Sequence, residues 1–173
     1  MGDRAEAEFS EFMQDRWPTL VRFGYGLTGD VGLAEDLAQT ALAKAYASWP
    51  RVRRAGDPDA YVRKIMLNAN RSRFRKRRVA ESPAGLTPDR GTPDPAGRRD
   101  DRAALMAALR GLPHGQRAVV LLRYWLGMTE TEAAAALGCS VGNVKSQASR
   151  ALAKLRISGE LADGRSQRSH EHQ

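Results

Sequence analysis

The chain has 173 residues and a formal net charge of +8, a length that suits one medium domain or two small ones. A soluble chain this basic is expected to bind a polyanion, while its single cysteine, Cys139, excludes an internal disulfide or a cysteine-built metal cluster and favours a reducing compartment. The N-terminus lacks an apolar signal core and no run approaches the ~18 apolar residues of a membrane span, so we expect a cytoplasmic protein without membrane insertion.

The first two predicted helices cover residues 9–28 and 31–49. Apolar residues recur at a spacing of three and four in the first helix, which gives it one buried face. Pro18 falls inside this helix and can bend or restart it, and Asp30 can cap the helix that follows. The predicted inner stripe of the second helix is Ala34, Ala38, Ala41, Leu42, Ala45 and Trp49, and its other face shows Glu35, Asp36, Gln39 and Lys44.

A third helix is predicted from Asp57-Pro58 to about residue 78, after a basic loop at 50–57. The aspartate can cap this helix, and proline is favoured at its first position. Tyr61 and Asn68 are two turns apart on one face, where an aromatic ring and an amide could stack on and hydrogen-bond an unpaired base. Core packing of Tyr61 is an equal alternative. The inward residues are predicted to be Val62, Ile65, Met66 and Ala69.

The end of this helix carries six basic residues within eight positions. A solvated charge run that favours the helix dipole explains one or two of them. A surface that follows nucleic-acid phosphates explains the density better. The six residues are Arg71, Arg73, Arg75, Lys76, Arg77 and Arg78.

Residues 79–101 have no hydrophobic periodicity and contain four prolines. They hold two more acidic than basic side chains, whereas 1–78 and 102–173 each hold five more basic than acidic ones. We therefore expect an extended or disordered linker between two basic lobes, 1–78 and 102–158. The fold class is all-α, with two small helical domains and no convincing strand pattern. The polar tail, 159–173, is expected to be disordered.

The second lobe begins with a helix marked by Leu105, Leu109 and Leu112, and a further helix is predicted at 114–125. Two short elements follow at about 129–136 and 140–155. Thr129 or Thr131 can cap the first of them, Gly138 suits the sharp turn, and Ser140 can cap the second. This pattern predicts a helix-turn-helix. Core candidates in the lobe are Val119, Val120, Leu122, Trp125, Val141, Val144, Ala148, Ala151, Leu152 and Leu155.

The second short helix leaves Lys145, Ser146, Ser149 and Arg150 pointing outward, and these donors suit phosphates and base edges in a major groove. A solvated helix in an ordinary bundle is the alternative, and the capped start, alanine-rich first helix and Leu-Gly-Cys turn argue against it. We expect Cys139 to be a small buried turn residue, because no acid–base partner lies near it in the sequence.

Three segments in this order resemble extracytoplasmic-function sigma factors of the sigma-70 family, over about residues 9–156. Residues 34–46 resemble the helix that binds core RNA polymerase. Residues 61–68 and the basic run after them resemble the −10 recognition helix. Residues 111–124 and the helix-turn-helix ending at 144–152 resemble the −35-binding domain. The resemblance implies region 2 at 1–78 and region 4 at 102–158.

The family's roles transfer to the matching positions. Contacts to the polymerase are implied for Glu35, Asp36 and Gln39; −10 contacts for Tyr61, Arg63, Asn68, Arg71, Arg73, Arg75 and Lys76; and −35 contacts for Lys145, Ser146, Gln147, Ser149 and Arg150. The implied partners are promoter DNA, the β′ clamp helices and β flap of core polymerase, and, as a further candidate, an anti-sigma factor. No cofactor or metal is implied.

The sequence departs from the family pattern at three of these places. Thr40 stands where an acidic residue is usual, Tyr61 replaces a usual tryptophan, and Ser149 replaces a frequent larger residue. The main alternative function is a stand-alone transcriptional repressor or activator that uses the same helix-turn-helix, usually as a dimer. An enzyme is disfavoured, because the sequence shows no phosphate-cradling glycine loop and no metal-ligand spacing.

Overall fold

The computed structural model describes residues 2–80 and 99–170, and these residues contain helices and no strand. The all-α prediction is therefore confirmed. The chain divides into two compact units, Met1–Asp94 and Pro95–Gln173. Most of the predicted linker, residues 81–98, lies outside the described residues, and its two ends are helical in the structure.

The described residues of the first unit form four helices: α1 Asp3–Thr28, α2 Val31–Ala47, α3 Trp49–Arg54 and α4 Pro58–Ala80. Helix α1 continues through Pro18, which is exposed, so it neither ends nor restarts there. The caps are formed as predicted: the carboxylate of Asp30 accepts from the Leu33 amide at 2.9 Å, and that of Asp57 accepts from the Ala60 amide at 2.9 Å.

The core of the first unit lies where α1, α2 and α4 meet. All six residues of the predicted inner stripe are buried, five of them on α2 and the sixth, Trp49, at the start of α3. Gly24 of α1 crosses α2 at Ala34, so closely that a Cβ at residue 24 would lie 2.9 Å from the Ala34 Cα. The rest of the core is built largely from Leu20, Phe23, Leu27, Val52, Val62 and Met66.

The predicted basic loop at 50–57 is wrong in part, because Trp49–Arg54 form helix α3. Pro50 occupies the start of this helix, where a missing amide hydrogen has no effect on hydrogen bonding. Trp49 and Val52 are buried, so the short helix is stabilised by its apolar side while its arginines stay exposed.

The second unit contains α5 Arg99–Arg110, α6 His114–Val120, a π-helical turn at Leu121–Trp125, α7 Glu130–Leu137 and α8 Val141–His170. Helix α8 extends well into the segment that the sequence predicted to be disordered from residue 159. Glycines at 159 and 164 weaken a helix, but no proline interrupts it, and the leucine, alanine, arginine and glutamine around them favour helix.

The buried guanidinium of Arg117 joins α6 to the end of α5. It donates to the carbonyl oxygens of Leu109, Arg110 and Leu112 at 2.9, 3.2 and 3.3 Å. Carbonyls at a helix end have no partner in their own helix, and a cation there also favours the helix dipole. Arg117 therefore stabilises the packing of α6 against the end of α5.

Of the ten predicted core residues of the second unit, five are buried: Val119, Leu122, Val144, Ala148 and Ala151. Val120, Val141 and Leu155 are half-buried. Three apolar residues are more exposed than their spacing suggested: Leu105, Trp125 (44% exposed) and Leu152 (40%). The π-helical turn contributes to the exposure of Trp125. An i→i+5 turn rotates later residues away from the face that 3.6-residue spacing assigns them.

We predict that Gly24→Ala destabilises the protein by about 1–3 kcal/mol, because the added methyl group would overlap the Ala34 backbone. Urea unfolding followed by far-UV circular dichroism measures the change. Gly142→Ala is the matched control: its Cβ would meet nothing closer than 3.9 Å, and it should be neutral or stabilising. Equal stability of the Gly24→Ala variant and the wild type would contradict this close crossing.

Glu8 of α1 forms ion pairs with Arg53 of α3 and Arg4 of α1. The hydrogen bond from Arg53, with the charges of both arginines, holds the pKa of the Glu8 carboxyl below its ordinary value of 4.5, against a smaller effect of desolvation. A lowered folded-state pKa stabilises the fold above the unfolded pKa, and this contribution is lost as pH falls through the folded value.

We therefore expect Glu8→Gln to lower the free energy of unfolding at neutral pH, with the difference from wild type disappearing in acid. Glu11→Gln removes the same charge one turn away, at an exposed position of α1, and should change stability less. Urea unfolding at a series of pH values measures both. A Glu8→Gln deficit that persists unchanged in acid would show that the ion pair is not its cause.

Candidate functional site

Helices α7 and α8 form the predicted helix-turn-helix, and each begins with a side-chain cap. Thr129 and Glu132 make a reciprocal capping box: the Thr129 hydroxyl accepts from the Glu132 amide at 3.1 Å, and the Glu132 carboxylate accepts from the Thr129 amide at 2.7 Å. Gly138 ends α7 with φ 66°, and Ser140 caps α8 by accepting from the Asn143 amide at 3.1 Å. The threonine that caps α7 is thus Thr129, one of the two candidates.

Helix α8 presents a polar face to solvent over its first three turns. Lys145, Ser146, Ser149 and Arg150 are exposed, while the residues on the opposite side pack on the rest of the unit. Gln147 differs from these four, because it is half-buried and lies beside α6, where a Cβ at Gly115 would be 3.6 Å from the Gln147 Nε2. The structure therefore brings four of the five predicted −35 residues onto one open surface and turns the fifth toward the fold.

Lys145 has a partner that the sequence analysis did not identify. Its Nζ lies 3.7 Å from the Oε2 of Glu130, the first residue of α7. Sequence alone can place an acidic residue such as Glu130 at a helix start, because its charge interacts favourably with the positive end of the helix dipole. The pairing with Lys145 depends on how α7 crosses α8, so local spacing does not predict it.

In the first unit, Tyr61 and Asn68 are both exposed on α4, with Tyr61 at 38%. The core-packing alternative for Tyr61 is thus not observed. The Asn68 Oδ1 accepts from the Arg71 Nη2 at 3.0 Å, which orders the amide at the helix surface. Arg63 is half-buried and faces inward, and its Nη1 lies 3.9 Å from Asp59, a carboxylate that Arg16 also contacts at 3.2 Å.

The basic run at the end of α4 divides into exposed and packed residues. Arg71, Arg75 and Lys76 are exposed. Arg73 is half-buried, donates to the Asn70 Oδ1 at 3.5 Å and lies over the Phe74 ring at 5.1 Å. The side chain of Arg78 lies outside the described residues.

A groove runs along this part of α4 and reaches α2. It is shallow and open to solvent, and three of its side chains are cationic. Lys44 of α2 is one of them, and the sequence analysis had placed it only on the outer face of that helix. The groove is lined by Lys44, Ile65, Asn68, Ala69, Ser72, Arg73 and Lys76.

The three residues implied to contact the polymerase, Glu35, Asp36 and Gln39, are exposed on α2, as is Thr40. Gln39 also borders a mainly apolar groove between α1 and α2, which the sequence analysis did not predict. Residues from two helices form this groove, so no single periodic pattern indicates it. It is lined by Phe9, Met13, Trp17, Gln39, Leu42, Ala43 and Tyr46.

Two further findings bear on the kind of site. In the part of the chain that the structure describes, no three histidine, cysteine, aspartate or glutamate side chains are grouped so that they could hold a metal ion. Among the same residues, no helix combines the length and apolar character that a membrane crossing requires. Cys139 is half-buried at the turn between α7 and α8.

Family models match both units. The model for Sigma-70 region 2 matches residues 13–79, and the model for Sigma-70, region 4 matches residues 102–155. An RNA polymerase sigma-E factor from Streptomyces antibioticus is 42% identical over 156 residues, which cover 90% of this chain and 87% of the relative. An ECF RNA polymerase sigma factor, EcfG, from Rhodopseudomonas palustris is 32% identical, over 80% of this chain and 77% of the relative.

Solved structures include a similar chain. The sigma factor RpoE of Bartonella quintana, in co-crystals with the anti-sigma factor NepR, matches with a TM-score of 0.73 and 29% identity. The match covers 88% of this chain and 97% of that chain.

The capping box at Thr129 and Glu132 is expected to stabilise the first helix of the helix-turn-helix. Thr129→Ala removes the acceptor for the Glu132 amide and should destabilise the second unit by about 1 kcal/mol. Thr131→Ala, at an exposed position two residues along, makes the same change without touching the cap and should have little effect. Hydrogen exchange of the α7 amides measures the difference. Equal protection in the two variants would show that the cap does not hold α7.

Proposed function

The chain belongs to the sigma-70 family of RNA polymerase sigma factors, in its extracytoplasmic-function group, and from this membership we propose how its residues divide the work of promoter recognition. As a sigma factor it directs transcription initiation at promoters. We propose that it binds core RNA polymerase and promoter DNA directly, and that it catalyses no reaction of its own.

We assign recognition of the −35 element to the helix-turn-helix. Helix α8 is the element that would enter the major groove, since the second helix of this motif usually does so. The exposed Lys145, Ser146, Ser149 and Arg150 offer donors to base edges and phosphates. Gln147 would act differently, because its side chain is half-buried beside Gly115 of α6 and leaves less surface for DNA.

We assign capture of a −10 base to the exposed face of α4. A base taken out of the duplex stack costs a few kcal/mol, so the protein must supply stacking and hydrogen bonds in return. Tyr61 offers an exposed ring and Asn68 an exposed amide that Arg71 already orders. These are the groups that such a base requires.

The DNA backbone would follow the basic end of α4. Arg71, Arg75 and Lys76 are exposed, and the groove beside them adds Arg73 and, from α2, Lys44. Each lysine or arginine that neutralises a phosphate contributes to affinity through counterion release. Arg63 would join them only after it leaves Asp59, so we expect its contribution to be smaller than that of the exposed residues.

We assign the contact with the β′ clamp helices to Glu35, Asp36 and Gln39 of α2, and the contact with the β flap to the second unit. The three α2 side chains are exposed and carry no structural role in the core. The apolar groove that Gln39 borders supports the assignment, since it offers surface that a partner could bury.

The proposed units of function are 1–78 for the polymerase and −10 contacts and 102–158 for the −35 contact, with 79–101 as the connection. Two DNA sites about one and a half turns apart are separated by ~50 Å, taking ~34 Å per turn. The 18 residues of 81–98, which separate α4 from α5, can span up to ~59 Å at ~3.3 Å per residue. The connection is therefore long enough for both units to bind one promoter.

We further propose that the chain acts in the cytoplasm and is held inactive by an anti-sigma factor. The support for the second point is the similarity to the Bartonella quintana sigma factor, which was crystallised with its anti-sigma factor NepR. One observation carries the whole proposal: two proposed DNA surfaces occur in one chain. The first is the capped helix-turn-helix, whose cationic face is exposed. The second is α4 of the other unit, which combines exposed Tyr61 and Asn68 with a basic groove.

Run-off transcription tests the proposal. Purified chain, added to sigma-free core polymerase with genomic promoter fragments, should produce specific transcripts that core polymerase alone does not. Absence of transcripts, together with tight operator binding by the chain alone, would instead identify a stand-alone repressor or activator.

Variants of α8 locate the reading face in the same assay. Lys145→Ala and Arg150→Ala should each weaken use of the −35 element by about 1–3 kcal/mol if they contact bases. Arg156→Ala removes the same charge from an exposed position further along α8 and should leave the order of preference among promoters unchanged. Unaltered promoter use by both the residue 145 and residue 150 variants would place the reading face elsewhere.

A further inference from the structure

The ion pair between Glu130 and Lys145 links the two helices of the helix-turn-helix at the proposed DNA surface. The atoms are 3.7 Å apart, and the side chains remain 36% and 63% exposed, respectively. Both side chains are partly exposed to solvent. The ammonium group of Lys145 is therefore accessible to DNA while it is paired with the carboxylate of Glu130.

The structure of the α7 N-terminus shows that Glu130 is not required for the cap. Thr129 and Glu132 form both hydrogen bonds of the capping box. The Glu130 carboxylate follows the cap directly and points to Lys145 of the other helix. Glu130 therefore forms an ion pair with Lys145, a residue that we assign to DNA recognition.

We infer that Glu130 is a specificity-determining residue that restrains Lys145, lowering the affinity for non-target DNA more than the affinity for the −35 element. This inference rests on the proposed function of α8. Glu130 acts through Lys145, so it is a positioning residue for the contact with DNA.

The difference arises from whether Lys145 must leave Glu130 to contact the DNA. An ammonium group has three donor hydrogens, so Lys145 can keep the carboxylate while it donates to a base edge of the −35 element, and removing Glu130 then changes that affinity little. A phosphate of non-target DNA out of reach of the paired ammonium group is contacted only after the pair breaks. Breaking an exposed ion pair changes an equilibrium by about 1.5- to fivefold, so Glu130 lowers the affinity for non-target DNA by up to about that factor.

Fluorescence anisotropy with the full chain and two labelled duplexes measures this effect. One duplex carries a −35 element selected by the wild-type chain from randomised DNA, and the other is a scrambled sequence of equal length and composition. Glu130→Gln should bind the scrambled duplex about two- to fivefold more tightly. The slope of log affinity against log salt should steepen by up to ~0.9, the value for one added phosphate contact. Affinity for the selected duplex should change less than twofold.

Two further variants separate the pair from general charge effects. Glu11→Gln makes the same change in net charge at an exposed position of the other unit and should leave the ratio of the two affinities unchanged. Lys145→Met removes the partner, and adding Glu130→Gln to it should then have little further effect on the scrambled duplex. Circular dichroism of each variant verifies that the helices are intact.

The outcomes distinguish the inference from the function on which it rests. A wild-type chain that binds both duplexes equally would overturn the proposed role of α8 and the inference with it. Wild type that discriminates, with a Glu130→Gln variant that discriminates equally well, would overturn the inference alone. The same would follow if Glu130→Gln tightened binding as much with methionine at position 145, because the carboxylate would then act by repelling phosphates without Lys145.

Discussion

Close approach of helix backbones through small side chains is the constraint on which both units depend. In the first unit, Gly24 of α1 meets Ala34 of α2, and the alanines that continue this face of α2 are fully buried. In the second unit, Ala133 and Ala134 are the buried residues of α7, which packs against α8. Small side chains allow the helix axes to approach closely. Each helix can then pack against its neighbour in only one rotation about its own axis. That rotation decides which polar residues face solvent.

The charge distribution shows why a net charge of +8 does not translate into an equal number of DNA contacts. Arg117 is buried against carbonyl oxygens, Arg53 pairs with Glu8, and Arg63 shares Asp59 with Arg16. These cations hold helices together. The proposed DNA surfaces consist mainly of cationic residues that remain exposed. Lys145 shares features of both kinds of cation, because it pairs with a carboxylate and yet remains exposed together with its partner, Glu130.

Features decided within a few residues were predictable from the sequence. The caps at Asp30, Asp57 and Ser140 and the turn at Gly138 depend on local hydrogen bonds and backbone angles, and all four occur. Features decided by packing between helices were not. Helix α3 forms because Trp49 and Val52 can be buried against the rest of the unit. Likewise, Gln147 faces inward because α6 passes beside it, which spacing along α8 cannot reveal. Arg63 was the exception that spacing could have indicated, since Asp59 lies one turn before it.

The proposed polymerase contact illustrates how such packing can compensate for a missing charge. Thr40 stands where the family resemblance implies an acidic residue, which leaves Asp36 and Glu35 as the carboxylates of this surface. The neighbouring groove between α1 and α2 is mainly apolar, and Met13 and Tyr46 at its border are partly exposed. Burial of apolar area contributes about 25 cal/mol per Å², whereas an exposed charge pair contributes at most about 1 kcal/mol. A partner that covers an additional ~40 Å² of this groove would therefore offset the loss of one carboxylate, and the contact can be strong without an acid at position 40.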